Sequence, residues 1–88
     1  MPKEVLLSTP ARKQFEKLDW SVRDRIRKAL RKLASAGGGD IRRLHGVRGR
    51  ETLLRLRVGD YRIVYRDDRD AIRVTQIFHR GKGYDWLE

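Results

Sequence analysis

The chain has 88 residues, 39% of them charged and 39% hydrophobic, with a formal net charge of +10. That length suits one domain with a modest core, residues 1–88, and not two. There is no cysteine, which excludes disulfides and thiolate chemistry. No apolar run reaches the roughly 18 residues of a membrane span.

The charge is unevenly spread. Residues 10–36 hold nine basic and three acidic residues, and residues 41–66 hold eight arginines against Glu51 and Asp60. Beyond residue 66 the balance is slightly acidic. A field of this kind favours nucleic acid, an anionic surface or an acidic protein partner. The N-terminus, MPKEVLLSTP, lacks the apolar region of a signal peptide, so a cytoplasmic setting with no membrane partner is expected.

In chain order, Glu4 to Ser8 reads as a short apolar strand, edge or inner. Thr9-Pro10 has the form of an N-cap followed by proline at the first helical position. Ala11, Phe15 and Leu18 share the face of a first helix over about 10–18. A second helix starts near Trp20, capped by Asp19 or Ser21. Its apolar stripe is Val22, Ile26, Ala29, Leu30 and Leu33, and Gly37-Gly38-Gly39 stops it. The short link predicts an antiparallel helical hairpin. Ile41 to Arg50 reads as a basic loop with a short extended piece at Leu44. Trp20 and Trp86 read as packing at the edge of the core, with stacking on a base as the alternative for either.

The organising stretch is LLRLRVGDYRIVYR, residues 53–66. Two alternating runs flank Gly59-Asp60, a pair suited to a two-residue hairpin turn. That turn sets Val58 against Tyr61, Arg57 against Arg62, Leu56 against Ile63 and Arg55 against Val64. Leu54, Leu56, Val58, Tyr61, Ile63 and Tyr65 then share an apolar face. Arg55, Arg57, Arg62 and Val64 share the other. Like charges directly opposed in a sheet repel, so Arg57 against Arg62 implies an anion above them, and arginine's planar fork suits phosphate. After a second turn at 67–70, Ala71 to His79 reads as a third strand. Ile72, Val74 and Phe78 lie on its core side, and Arg73, Thr75, Ile77 and His79 lie with the arginines.

This alternation gathers Arg55, Arg57, Arg62 and His79, with Arg80 and Tyr84 just beyond. Arg42, Arg43, Arg48, Arg50 and Lys82 extend the basic surface. Cations, an imidazole and a phenol can cleave RNA without a metal: a base takes the 2′-hydroxyl proton, the oxygen attacks phosphorus, arginines stabilise the charge, and an acid protonates the leaving 5′-oxygen. The two histidines and the scattered carboxylates show no ligand spacing, so no metal and no cofactor are expected.

At these residues the sequence resembles the RelE/ParE toxin superfamily, over essentially the whole chain. The matching motifs are LRVGDYRIVY at 56–65 and His79-Arg80 followed by Tyr84; the second points to the RelE-like, RNA-cleaving branch. The resemblance implies an α+β fold, with an N-terminal strand and an antiparallel helical hairpin packed on a mostly antiparallel β-sheet. It also implies the toxin of a type II toxin–antitoxin system: a ribosome-dependent mRNA endoribonuclease whose partners are the ribosome, mRNA and a cognate acidic antitoxin, in a hetero-oligomer. Arg55 and Arg62 would then be basic strand positions, Arg80 a transition-state or leaving-group contact, and Tyr84 a base or a stacking residue; His79 is a second candidate base. The alternatives are a ParE-like inhibitor that binds DNA gyrase without nuclease activity, and a non-catalytic module that binds RNA or an acidic partner.

Overall fold

Gly59 sets the sheet's register. At φ +57° it occupies the left-handed region, which glycine enters without the penalty a Cβ brings. Val58 thereby pairs with Tyr61, and the pairs Arg57–Arg62, Leu56–Ile63, Arg55–Val64 and Leu54–Tyr65 follow, as the alternation predicts. These are strands β3 (Leu54–Val58) and β4 (Tyr61–Asp67). The computed structural model describes residues 2–44 and 53–82, with the side chain of Lys82 left out.

Around this hairpin lie β1 (Glu4–Leu7), helices α1 (Thr9–Glu16) and α2 (Trp20–Ala36), β2 (Asp40–Arg43), β5 (Ala71–His79) and a 3₁₀ turn at Arg80–Lys82. The sheet order is β1-β5-β4-β3-β2. Only β1 runs parallel to its neighbour, β5; the other pairings are antiparallel. The fold is therefore α+β, two helices packed on a five-stranded mixed sheet.

Strand β2 corrects the sequence reading, which has a loop from Ile41. Asp40–Arg43 pairs with Arg57–Leu54. Its sequence, DIRR, carries one apolar residue, Ile41, too few to show alternation. Residues 45–50 of that stretch lie outside the described residues.

The helices follow the predicted stripes. Ile26, Leu30 and Leu33 are buried, with Val22 and Ala29 partly so, and Ala11 is buried in the same core. Gly37 ends α2 at φ +70° and returns its N–H to the Leu33 carbonyl, the left-handed stop glycine favours. The cap of α1 falls one residue earlier than expected: Ser8, not Thr9, accepts from the Ala11 N–H at 3.2 Å. Trp20 is a second correction. It is 72% exposed, on the first turn of α2, and packs into no core edge.

The core lies between the helices and one sheet face, with Leu56, Ile63, Tyr65, Ile72, Val74 and Ile77 meeting Ala11, Ile26, Leu30 and Leu33. Each such side chain contributes about 1.5–3 kcal/mol by leaving water. Tyr61 and Tyr65 belong to this side, as the alternation predicts. Burial, with the charge of Asp67 adding to it, pushes the Tyr65 phenol up to about 12.

A β-bulge decides which side chains of β5 face which way. Val64 pairs with Gln76 but Tyr65 pairs with Val74, so Thr75 is an extra residue. A bulge of this kind shifts the alternation by one position. Thr75 is held by its Oγ1, which donates to the Val64 carbonyl at 3.2 Å, and by its carbonyl, which accepts from Ser8 Oγ at 2.9 Å. Strand β1 ends beside Val74, so the edge of β5 beyond it needs other partners. Gln14 supplies them: its Oε1 accepts from the Ile77 N–H at 2.7 Å, and its Nε2 donates to Gln76 Oε1 at 2.9 Å.

Candidate nucleic-acid interface

Residues directly opposed in a sheet share a face, so the register identifies the face away from the core. Arg42 opposes Arg55, Arg57 opposes Arg62, and Arg66 opposes Arg73. Three like-charged cross-strand pairs thus stand on one surface, around Val64, which is fully buried at its centre.

Each part of this face has a distinct setting. The Arg55 side chain is only 13% exposed; its Nη2 lies 3.5 Å from Asp40 Oδ1, and its Nε is buried without a hydrogen-bond partner. Arg57 is exposed, with Nη1 3.9 Å from Asp40 Oδ2. One carboxylate therefore sits between two guanidinium groups. Arg62 Nη1 donates to the carbonyls of Gly59 and Tyr61, at 3.0 Å each. These bonds fix the side chain over the hairpin turn while leaving its other guanidinium nitrogens for a ligand. At the far end, Asp68 bridges Arg66 and Arg73.

Arg80 begins the 3₁₀ turn beside the same hairpin. Its N–H donates to the Asp60 carbonyl at 2.8 Å and its Nε lies 3.6 Å from Asp60 Oδ1. The turn residue Asp60 thus holds Arg80 at the Arg62 end of the face.

Two predicted positions fall elsewhere. His79 pairs with Tyr61, not with the arginines. It stands on the helix side, edge-on to the Tyr61 ring at 5.4 Å between centroids, and its Nδ1 accepts from the Gly81 N–H at 3.1 Å. The Thr75 bulge is the cause: it turns Ile77 and His79 toward the core side and brings Gln76 and Phe78 to the arginine side. Arg43 opposes Leu54 and so also lies on the helix side of the edge strand. Arg42 keeps its expected place. Arg48, Arg50 and Tyr84 lie outside the described residues; Lys82 closes the 3₁₀ turn.

Sequence reasoning missed Asp40 and Asp60, the carboxylates that hold Arg55, Arg57 and Arg80, and it gave no role to Arg66 and Arg73. Extending the alternation past Val64 would have placed Arg66. Among the described residues, no group of three or more His, Cys, Asp or Glu side chains is placed to hold a metal ion, and no helix is long and apolar enough to cross a membrane.

Comparison with known proteins adds a family. The fold is similar to that of a chain in the archaeal RelE–RelB complex of Pyrococcus horikoshii OT3, with a TM-score of 0.75 and 24% identity over 94% of this chain and all of that one. The RelB–RelE antitoxin–toxin complex of Methanococcus jannaschii gives 0.72 and 23%, over 94% and 99% of the two chains. The YoeB dimer of Staphylococcus aureus gives 0.72 and 19%, over 90% and 99%. No curated protein sequence matches the chain. Residues 5–84 match the family described as the ParE toxin of type II toxin–antitoxin systems, parDE. With nearly its whole length covered, the chain belongs to this family, within the RelE/ParE superfamily, and is a toxin of a type II toxin–antitoxin system.

Proposed function

We propose that this toxin is a ribosome-dependent mRNA endoribonuclease, acting in the cytoplasm as a single domain over residues 1–88 and held in check by an acidic antitoxin. The observation that carries the reading is the arginine face. Like charges opposed across strands cost stability unless an anion lies among them, and one carboxylate of the chain, Asp68, already lies between such a pair. A phosphodiester meets the same need, with charge-assisted bonds to the arginine forks.

In this reading Arg55, Arg62 and Arg80 surround the reacting phosphate, with Arg57 and Arg42 along the strand that leads to it. The base takes the ribose 2′-hydroxyl proton, the oxygen attacks phosphorus, and the arginines stabilise the charge that builds on the non-bridging oxygens. The bond to the 5′-oxygen then breaks as an acid protonates it. His79 stands on the opposite side of the sheet, so the base is assigned to Tyr84. Arg43 leaves the RNA-binding set, while Arg48, Arg50 and Lys82 remain in it as proposals. The antitoxin partner follows from the family and from the solved toxin–antitoxin complexes of similar fold.

One observation favours a second reading. With His79 turned from the arginines, a basic surface without an imidazole also suits a ParE-like toxin that inhibits DNA gyrase by binding. Induction in growing cells separates the two. The nuclease reading expects protein synthesis to stop before DNA-damage signalling rises, with cleaved mRNA recovered from ribosomes; damage signalling first, with intact mRNA, would establish the second reading in its place.

A further inference from the structure

We infer that Arg66 and Arg73 form a second phosphate subsite, one that holds RNA beyond the reacting bond. This inference rests on the nuclease reading above and adds a binding site to it.

Both ends of the arginine face place a carboxylate between two guanidinium groups, along one strand at Asp40 and across two strands at Asp68. At one end Asp40 lies between Arg55 and Arg57; at the other Asp68 lies between Arg66 and Arg73. Arg66 and Arg73 are directly opposed across β4 and β5. Arg66 Nη2 is 3.9 Å from Asp68 Oδ2, and Arg73 Nε donates to the same oxygen. The side chains remain partly open, 30% for Arg66 and 47% for Arg73. A carboxylate on a two-residue cationic clamp occupies the position a phosphate oxygen would take, and a phosphate offers the clamp more acceptor oxygens.

The geometry gives the subsite a direction. Arg66 lies four residues along β4 from Arg62, about 13 Å at the usual strand rise, so a phosphate here is a different one from that held at Arg62. Beside the clamp is a pocket of ≈ 210 Å³ walled by Leu6, Leu7 and the arginines themselves. Leu6 stands next to Arg73 on the same face, while Leu7, opposed to Val74, turns toward the helix side. Two cations beside an apolar side chain match one nucleotide of a single strand, with the phosphate on the arginines and the base against Leu6.

The experiment measures binding of the purified toxin to a single-stranded trinucleotide and to a nonanucleotide, by fluorescence anisotropy at several salt concentrations. The subsite predicts that Arg73→Ala weakens nonanucleotide binding about tenfold and lessens the salt slope by about 0.7, the loss of one phosphate contact on a single strand. Trinucleotide binding stays within about twofold. Asp68→Asn, which keeps both arginines and removes their internal competitor, tightens the nonanucleotide severalfold; it also covers the case in which Arg73→Ala fails to fold. Equal loss on both oligonucleotides, or no effect of either substitution while the wild type retains a steep salt slope, would overturn the subsite and leave the nuclease reading standing. A flat salt response of the wild type itself would overturn the phosphate-binding face, and the subsite with it.

Discussion

The two faces of the central hairpin share a backbone and differ in everything else. On the helix side, Leu56, Ile63 and Tyr65 are at most 1% exposed and belong to the apolar core. On the other side, Arg55, Arg57, Arg62 and Arg66 stand one residue away from them, opposed to like charges and moderated by Asp40 and Asp68. Those three side chains are buried without a partner. The second meets its electrostatic need only in part, through exposed or half-exposed carboxylates. Surface pairs of that kind stabilise by about 0–1 kcal/mol each, so a competing anion displaces them at little cost. In the proposed reading, stability and binding fall to alternate residues of the same strands, and substitutions should separate them.

The largest expected effect is on the packed face. Ile63→Ala removes a fully buried side chain and should cost about 2–5 kcal/mol of stability, read from a denaturant titration. The folded fraction should bind RNA as the wild type does. Loss of binding by the folded fraction would show that the two faces are coupled.

Alkaline pH acts on the same face. Folding holds the Tyr65 proton, with the phenol at about 12 against an ordinary value of 10. Above pH 10 the unfolded chain ionises first, so stability falls as pH rises toward 12, by about 1–2 kcal/mol. Tyr65→Phe should flatten that decline, which melting curves at pH 9 to 12 would show. An unchanged decline would mean that another group is responsible.

The edge that sets the bulge is worth less. Ser8 caps α1 and also donates to the Thr75 carbonyl, so Ser8→Ala should cost about 1 kcal/mol. A loss beyond about 2 kcal/mol would show that Thr75 and the register of β5 depend on that one hydroxyl. The smallest effect is expected at His79. From the helix side of the sheet, His79→Ala should change the cleavage rate by less than about threefold, whereas a general base would lose 10²–10⁴-fold.

How much of this was legible depends on how local the signal is. The Gly59-Asp60 turn and the strict alternation around it determined the register of β3 and β4, because one buried face leaves no other choice. The α2 stripe and its glycine stop were equally local. The fate of His79 was not. It depends on Thr75, an extra residue whose place is set by hydrogen bonds from Ser8 and to Val64, and no periodicity reveals it. The one hint is that Gln76 interrupts the apolar set while Ile77 falls on the polar one, which a one-residue shift resolves. Strand β2 escaped because a single isoleucine among charged residues shows no period. Arg55 and Arg80 were legible as site candidates, while their carboxylate partners, Asp40 brought in by strand pairing and Asp60 by the turn, were not.

The claim that the arginine face performs the chemistry is tested most directly at Arg62. Arg62→Ala relieves the opposition to Arg57 but loses two hydrogen bonds to hairpin carbonyls, so stability should change by no more than about 1 kcal/mol. Cleavage of mRNA on programmed ribosomes, read by primer extension alongside a melting curve, should fall by about 10²–10³-fold, or about 3–4 kcal/mol of transition-state stabilisation. A variant that folds and cleaves at the wild-type rate would contradict the account.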